Sequence, residues 1–485
     1  MSISKRMVSV VLCICLVACA VLFGKAPEAE ELPEEIVGDS VVVWYADENM
    51  TDYISAMAVA FHEEYDIRVI PQLQSGLEYV ESIYDASVTD ETATPDVFII
   101  SNEALEKAYL TGLADVISDP DSVVNTEHFP QTAINAVTYE NKLVGYPYYF
   151  ETSVLLYNKS YIYEMAKNQL LAETTDESAA GGGEITVSDE KSTEEATTAQ
   201  EVTEEDIEAR IIELIPQTFE ELLAFANEYD APAAVDGVFK WDVSDIFYNY
   251  FFIGNYVGLG GTYGDEKSQL SLSEGKVIEC LEYYQSLNEF FAIDEEIVHS
   301  EDVIQEFIDG KIVFTIAKTD AIARLDQAIE EGKVPEYQLE VERDEDGNEI
   351  PPREVDCFYG VGDIPNLSED LITRGLSVTN SIVVNNYSAN RAYANDFAHY
   401  LSYEKAEDLY KQTGKVSVCK NVTAGDENWE RIMVQYAGSV EIPKIIEMSN
   451  YWILMEIAFA NIWNGADIMT EIGNVVSQMN IQVSE

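Results

Sequence analysis

The sequence has few basic residues and few histidines. Its 485 residues include 27 Lys and Arg against 90 Asp and Glu, which gives a formal net charge of −63. A nucleic-acid-binding protein needs clustered cations to neutralise phosphates, so this composition argues against that class. The histidines lack the spacing of metal ligands, and neither a metal nor another cofactor is predicted. They are His62, His128, His299 and His399.

Cysteine is also scarce. Three of the six cysteines fall within the first two dozen residues, and the other three are Cys280, Cys357 and Cys419. Three widely spaced cysteines form neither a metal motif nor a disulfide framework. We expect buried free thiols, with a single disulfide as the alternative.

Motifs of catalysis are missing as well. There is no nucleophile elbow and no phosphate-binding loop, and the glycine-rich stretch 258–261 lacks the lysine of such a loop and predicts a turn. The composition, 47% hydrophobic and 11% aromatic, is that of a globular protein long enough for two or three core-forming units. We therefore predict a folded protein that is not an enzyme.

The first 24 residues predict export. Lys5 and Arg6 precede an uncharged apolar run at residues 7–24, which is the pattern of an export signal. Within it, Leu16-Val17-Ala18-Cys19 resembles the lipobox of bacterial lipoproteins, in which the cysteine is lipidated. An uncleaved membrane anchor and a plain cleaved signal are the alternatives. Residues 25–38 would form a linker, and all three readings place the rest of the chain outside the cytoplasm.

Beyond the linker, strand and helix patterns alternate. Short apolar runs at 40–45, 67–72 and 95–100 predict strands, and amphipathic stretches at 51–65 and 103–110 predict helices. This order predicts an α/β fold with mostly parallel strands and helices on both faces.

Polar residues follow two of the predicted strands. Ligands of such sheets bind beyond the carboxyl ends of the strands. Turns and helix N-caps use the same residue types, and that is the alternative role. The residues are Asp47, Glu48, Asn49, Ser101, Asn102 and Glu103.

Two stretches interrupt the globular pattern. Residues 172–206 are rich in Asp, Glu, Thr and Ser, with three consecutive glycines, and bury too little apolar surface to offset the entropy of ordering. We predict a disordered acidic insert there. The acidic stretch 341–355 predicts a second exposed excursion.

Several ordered blocks resemble one family. The block at 141–159, NKLVGYPYYFETSVLLYNK, resembles the crossover segment of extracellular solute-binding proteins of bacterial ABC importers, of the maltose-binding type. Further similar blocks are Pro95-Asp96, Gly112-Leu113, the helix start at Thr218, 307–315, 381–384 with 394–401, and Tyr451-Trp452. The resemblance covers about residues 40–480, apart from the acidic insert and the excursion at 341–355.

The resemblance implies a two-lobed fold, each lobe a mostly parallel sheet flanked by helices, joined by hinge strands. The first lobe would comprise 39–148 and 383–424, and the second 149–378 and 425–485. The ligand would lie between the lobes, which close around it.

The resemblance also implies site residues. By position, Glu151 matches a carboxylate next to the hinge that binds the ligand, and Trp452 matches a stacking tryptophan. Three positions, Ile100, Ala104 and Thr319, differ from the maltose-binding protein, which argues against maltodextrins. The other implied or candidate contacts are Glu48, Asn49, Asn102, Glu103, Tyr250, Tyr149, Tyr148 and Trp241.

Together these features predict a monomeric lipoprotein on the extracellular face of the membrane of a Gram-positive-type bacterium. It would capture a small solute, a mono- or oligosaccharide, and deliver it to an ABC importer permease. A polyamine or other cation receptor of the same fold is the main alternative, because the chain is so acidic. A carbohydrate-active enzyme with paired carboxylates, or a surface scaffold, are further alternatives.

Overall fold

The computed structural model describes residues 40–89, 94–119, 122–180, 202–272, 275–332, 358–422 and 426–484. Residues Val41–Glu485 form one compact unit. The predicted export signal with Cys19, the linker, most of the acidic insert, the excursion 341–355 and Cys357 lie outside the described residues. Within the described ranges no helix is long and apolar enough to span a bilayer.

The strands are short except for two. They are β1 Ser40–Tyr45, β2 Arg68–Leu73, β3 Val97–Ser101, β4 Thr138–Tyr139, β5 Lys142–Leu143, β6 Tyr146–Asn158, β7 Gly237–Phe239, β8 Gly258–Leu259, β9 Leu270–Ser271, β10 Ile312–Lys318, β11 Tyr359–Gly362, β12 Leu376–Val384, β13 Val416–Ser417 and β14 Val440–Glu441.

The α-helices surround these strands. They are α1 Thr51–Tyr65, α2 Tyr79–Thr89, α3 Leu105–Leu110, α4 Gln131–Ala136, α5 Lys159–Ala180, α6 Glu204–Leu214, α7 Phe219–Glu228, α8 Ile246–Asn249, α9 Gly275–Phe291, α10 Ser300–Ile308, α11 Asp320–Glu330, α12 Arg391–His399, α13 Ala406–Thr413, α14 Glu427–Gly438, α15 Tyr451–Trp463 and α16 Ile468–Ser484. Short 3₁₀ turns, such as Asn102–Ala104 before α3, join some of them.

The main sheet has the strand order β2-β1-β3-β12-β6-β10-β7, with β11 and β13 also paired to β6 and β14 paired to β12. Strands β1 and β3 pair in parallel, as the alternating pattern predicts, and so do β7 and β10. The two long strands pair antiparallel with each other, β12 also with β3 and β6 also with β10, whereas the short β14 is parallel to β12. The sheet is therefore mixed around its centre, a feature that the local pattern does not predict.

Strand β6 connects the two parts of the sheet. Its first half pairs with β12, where Glu151 lies opposite Val378, and its second half pairs with β10, where Ser153 lies opposite Lys318. Strand β6 contains four Tyr and one Phe, which favour extended backbone, and it is buried on both faces. The segment that resembles a family crossover is thus one continuous strand.

Within the part of the chain that the structure describes, three apolar cores flank the sheet. One packs α1 and α12 against β1 and β3 and includes Tyr53 and Phe61. A second lies on the opposite side of those strands and includes Trp44. The third and largest surrounds the second half of β6 and β10 and includes Trp241 and Trp463. Because both faces of these strands are buried, their sequences are continuous apolar runs and do not alternate between apolar and polar residues.

The predicted acidic insert is helical at both ends. Helix α5 continues to Ala180, and α6 begins at Glu204 behind a capping box made by Thr203 and Asp206. Arg210 on α6 binds Glu173 on α5, with 2.9 Å between Nη1 and Oε1. The prediction of disorder is therefore wrong for residues 172–180 and 204–206, because the two helices pair with each other, while residues 181–201 are not described.

Candidate functional site

Four strands bring polar side chains to one edge of the sheet. Asp47 follows β1, and Ser101 ends β3, opposite Asn380 of β12. Asn380 in turn pairs with Tyr149 of β6, two residues before Glu151. The end of β3 is therefore level with the first half of β6, with β12 between them. This is the edge at which ligands of α/β sheets bind.

Lys415 connects two acidic residues at this edge. Its Nζ atom lies 2.9 Å from Oδ2 of Asp47 and 3.6 Å from Oε1 of Glu151. The ammonium group also lies 5.4 Å from the ring centroid of Tyr149. Burial lowers the pKa of Lys415, but the carboxylates of Asp47 and Glu151 outweigh this effect and the pKa is raised. The lysine is therefore charged at neutral pH.

A turn in the chain places Lys415 there. Helix α13 ends at Thr413, and Gly414 adopts a left-handed conformation with φ of 69°. Any other residue there would be strained, and its Cβ would come within 2.6 Å of the Ala323 side chain. Strand β13 follows immediately and pairs with β6, with Val416 opposite Phe150. The lysine thus precedes a strand that fixes it beside Glu151.

A second lysine approaches from the other part of the sheet. Lys318 ends β10, and its Nζ atom lies 3.4 Å from Oδ2 of Asp320 and 5.6 Å from the ring centroid of Phe247. Burial lowers the pKa of Lys318, but the charges of Asp320, Glu151 and Asp245 outweigh it and the pKa is raised. The carboxylate of Glu151 therefore interacts electrostatically with a lysine from each part of the sheet, Lys415 and Lys318.

These residues form what we call the charged cluster: Asp47, Glu151, Asp245, Lys318, Asp320 and Lys415. Asp245 is the N-cap of α8, and its carboxylate accepts a hydrogen bond from the backbone N–H of Phe247 at 2.8 Å. Burial raises the pKa of Asp245. The cluster alternates hydrogen-bond donors with acceptors, and the rings of Tyr149 and Phe247 lie beside its lysines.

Trp452 lies on helix α15, which packs against α8. The side chain is half-buried, and its ring centroid is 5.6 Å from that of Tyr250 and 4.8 Å from that of Tyr451. One helical turn further on, Glu456 is exposed, yet burial and the charges of Asp245 and Asp242 raise the pKa of its carboxyl. Helix α15 therefore presents an aromatic ring and an acid on the side of α8 that carries Asp245.

Among the described residues, no group of three or more His, Cys, Asp and Glu is arranged to hold a metal ion. Cys280 and Cys419 are both buried and free, as expected for structural thiols. Burial raises the pKa of each. Neither cysteine therefore offers a reactive thiolate.

The family assignment comes from a comparison of the sequence with family models. A model described as bacterial extracellular solute-binding protein matches residues 56–433. The chain belongs to this family. A comparison with curated proteins gives no match.

Solved structures similar to this solute-binding protein share its fold. An extracellular solute-binding protein from Staphylococcus aureus, solved with maltose, is 17% identical, with a TM-score of 0.66 over 93% of this chain and 99% of that one. A maltose-binding periplasmic protein from Listeria monocytogenes, also with maltose, is 18% identical, with a TM-score of 0.63 over 92% and 98%. A maltotriose-binding protein from Thermus thermophilus is 15% identical, with a TM-score of 0.61 over 91% and 100%. The chain thus has the two-lobed α/β fold implied by the sequence resemblance.

Several predicted site residues of the solute-binding protein have accessible side chains. Glu151 and Trp452 are half-buried, while Glu48, Asn49 and Glu103 are exposed. Burial by neighbouring atoms nevertheless raises the pKa of Glu103. A hydrogen bond from Ser101 lowers this pKa, but its effect is smaller.

Other predicted contacts support the fold and offer no surface to a solute. Asn102 is fully buried, where its Nδ2 atom donates to the carbonyl of Ile442 at 2.6 Å and its Oδ1 atom accepts from the N–H of Thr379 at 3.1 Å. Trp241 is also fully buried, and its Nε1 atom donates to Asn249 at 2.9 Å. Their predicted role as direct contacts gains no support from these positions.

Three tyrosines named from the sequence are buried as well. Tyr250 shares a hydrogen bond with Tyr451, with 3.0 Å between the two Oη atoms, and packs beneath Trp452. Tyr148 is fully buried, and Tyr149 has its ring against Lys415. We therefore regard Tyr250 and Tyr149 as supports for Trp452 and Lys415.

Sequence reasoning missed both lysines, Asp245, Asp320 and Asn380. One sequence feature could have drawn attention to Lys415. It directly follows a helix-ending glycine in a chain with few cations. The strand register that brings Lys415 and Asn380 to Glu151 involves residues far apart in sequence, and no local pattern contains it.

Proposed function

We propose that this solute-binding protein captures a neutral saccharide, a mono- or oligosaccharide, between its two lobes and delivers it to the permease of an ABC importer. The lobes would comprise residues 39–148 with 383–424, and 149–378 with 425–485. Lipidation at Cys19 would tether the receptor to the outer face of the membrane of a Gram-positive-type bacterium, where it would act as a monomer.

The observation that carries this proposal is the alternation of charges around Glu151. A saccharide ring has hydroxyl groups that both donate and accept hydrogen bonds, so its site needs donors and acceptors side by side. Lys415 supplies donors between Asp47 and Glu151, and Lys318 supplies them beside Asp320. Hydrogen bonds to charged partners are the stronger kind.

The aromatic residues support the same ligand class. The faces of a sugar ring carry C–H groups that pack on aromatic planes, and Trp452 is half-buried with its ring held by Tyr250 and Tyr451. The related structures from Staphylococcus aureus and Listeria monocytogenes contain maltose. These features favour a saccharide without fixing which one.

An enzymatic role receives no support from the cluster. A glycoside hydrolase needs two carboxylates placed on either side of a glycosidic bond. In this protein Lys415 lies within 2.9 Å of Asp47 and 3.6 Å of Glu151 and so binds both carboxylates. We expect the bound saccharide to be released unchanged.

A thermal-shift screen of the full-length protein with saccharides, polyamines and peptides tests the ligand class. We expect at least one neutral saccharide to raise the melting temperature, with product analysis showing it intact after incubation. A large shift with spermidine and none with any saccharide would overturn the proposal.

Delivery to the permease has its own test. Because the chain is so acidic, we propose that exposed carboxylates contact the permease. Reversal of charges at the lobe tips should reduce transport while leaving saccharide affinity unchanged. Transport that does not respond to these reversals would argue against an acidic docking surface.

A further inference from the structure

Each lysine of the charged cluster lies over an aromatic ring and beside carboxylates. Lys415 is 5.4 Å from the ring centroid of Tyr149 and forms ion pairs with Asp47 and Glu151. Lys318 is 5.6 Å from the ring centroid of Phe247 and forms an ion pair with Asp320. An aromatic face flanked by carboxylates is the arrangement by which proteins bind organic cations.

The chain's own ammonium groups therefore occupy the positions that a bound cation would take. Their side chains are only 15% and 22% exposed for Lys415 and Lys318, respectively. Burying a charge is costly unless it is paired, and both lysines are paired. A polyamine would have to displace them from their carboxylates and rings to bind.

The two lysines also belong to one electrostatic network. The charge of Lys318 interacts with Glu151, and that of Lys415 interacts with Asp320, so each ammonium acts on the carboxylate beside the other. Without the lysines, Asp47, Glu151, Asp245 and Asp320 would repel one another across the site. Their repulsion would favour any ligand with two or more positive charges.

We propose that Lys318 and Lys415 are specificity-determining residues that occupy two built-in cation sites and thereby restrict this solute-binding protein to neutral ligands. This inference rests on the proposed saccharide function and defines how the site rejects the other ligand class expected of so acidic a chain. Removal of the two ammonium groups converts the site into one that accepts organic cations.

The test is calorimetric titration of spermidine into the full-length protein in mild detergent at about 150 mM salt, where exposed charges are largely screened. Wild type should show no saturable binding. The double variant K318M/K415M should bind spermidine about tenfold or more tightly than wild type, because two cation sites become vacant. The variant K318R/K415R keeps both charges and should exclude spermidine as wild type does.

Lys240→Met is the matched control, because Lys240 also pairs with a carboxylate, that of Glu306 at 2.7 Å, outside the cluster. It should gain no spermidine binding, which separates site binding from general attraction to an acidic protein. Should the double variant fail to fold by circular dichroism, Lys318→Met alone provides the test and should still gain spermidine affinity.

Saturable spermidine binding to wild type would overturn the proposal. So would a folded Met variant that does not bind spermidine. A parallel titration with saccharides keeps the outcomes apart: failure of every saccharide to bind wild type contradicts the proposed function, whereas the spermidine result decides the role of the lysines.

Discussion

The Oε1 atom of Glu151 lies 3.6 Å from the Nζ atom of Lys415, which also binds Asp47 at 2.9 Å. Glu151 belongs to the strand that runs through both parts of the sheet, and Asp47 lies beyond the end of β1. The ion pair thus joins the central strand to an edge loop at the proposed ligand site.

Glu151→Gln tests the carboxylate directly. The variant keeps the size of the side chain and removes its charge, and a hydrogen bond to a charged group contributes about 1.5–3 kcal/mol. Saccharide affinity measured by calorimetry should fall about ten- to a hundredfold. Glu81→Gln, which removes the partner of Lys107 on the surface, is the control and should leave affinity unchanged. Equal affinities for wild type and Glu151→Gln would exclude Glu151 from the site.

Trp452→Ala tests the stacking surface. Loss of a half-buried aromatic ring that packs on the ligand should lower saccharide affinity about tenfold or more. It should also abolish most of the change in tryptophan fluorescence on ligand addition. The neighbouring Ile453, 60% exposed on the same helix, provides the control as Ile453→Ala. An unchanged affinity for Trp452→Ala would show that this ring does not contact the solute.

Tyr410→Phe tests the proposed lobe boundaries. The hydroxyl of Tyr410, in the proposed first lobe, donates to Asp326 in the second, and Tyr359 of the second lobe donates to the same carboxylate at 2.7 Å. Loss of the bond between lobes should favour the open form and weaken saccharide affinity several-fold, mainly through faster dissociation.

Tyr359→Phe is the matched control for that experiment, because its hydrogen bond stays within one proposed lobe. It should reduce stability without changing the dissociation rate measured by stopped flow. If both variants change the rate equally, the boundary between the lobes lies elsewhere.

Glu441 predicts a pH dependence of stability. Burial raises the pKa of its carboxyl from 4.5 to about 8, against the lowering effects of Lys444 and Arg374. A raised pKa means that the folded state holds the proton longer than the unfolded state. The contribution of Glu441 to stability is therefore fully present below pH 4.5 and is lost as the pH rises towards 8.

Urea denaturation across this range measures the effect. The free energy of unfolding of wild type, relative to that of Glu441→Gln, should fall between pH 5 and pH 8. Glu447→Gln is the control, since the ion pair with Lys267 outweighs burial and lowers the pKa of Glu447, which places its effect at more acidic pH. Parallel pH profiles for wild type and Glu441→Gln would contradict the prediction.

Local patterns were sufficient for much of the fold. The apolar run at 40–45 is strand β1, and Thr218 with Glu221 forms the capping box of α7. These features depend on side chains within a few residues of one another, so the sequence alone contains them. The acidic stretch after residue 171 misled the same reasoning, because pairing between α5 and α6 through Arg210 depends on a distant partner.

The site was predictable only in part, for the same reason. Glu151 and Trp452 were predicted through family resemblance, whereas Lys415 reaches Glu151 through the pairing of β13 with β6. Burial also separates candidates that look alike in sequence. Asn102 and Asn49 both follow strands, yet Asn102 is fully buried and hydrogen-bonded to backbone groups, while Asn49 is exposed.

The most direct test is a crystal structure of the protein with the saccharide that stabilises it most. We expect an intact saccharide with its hydroxyl groups bound by Glu151, Asp47 and Lys415 and one ring face against Trp452. A saccharide bound away from these side chains, or found cleaved, would contradict the account.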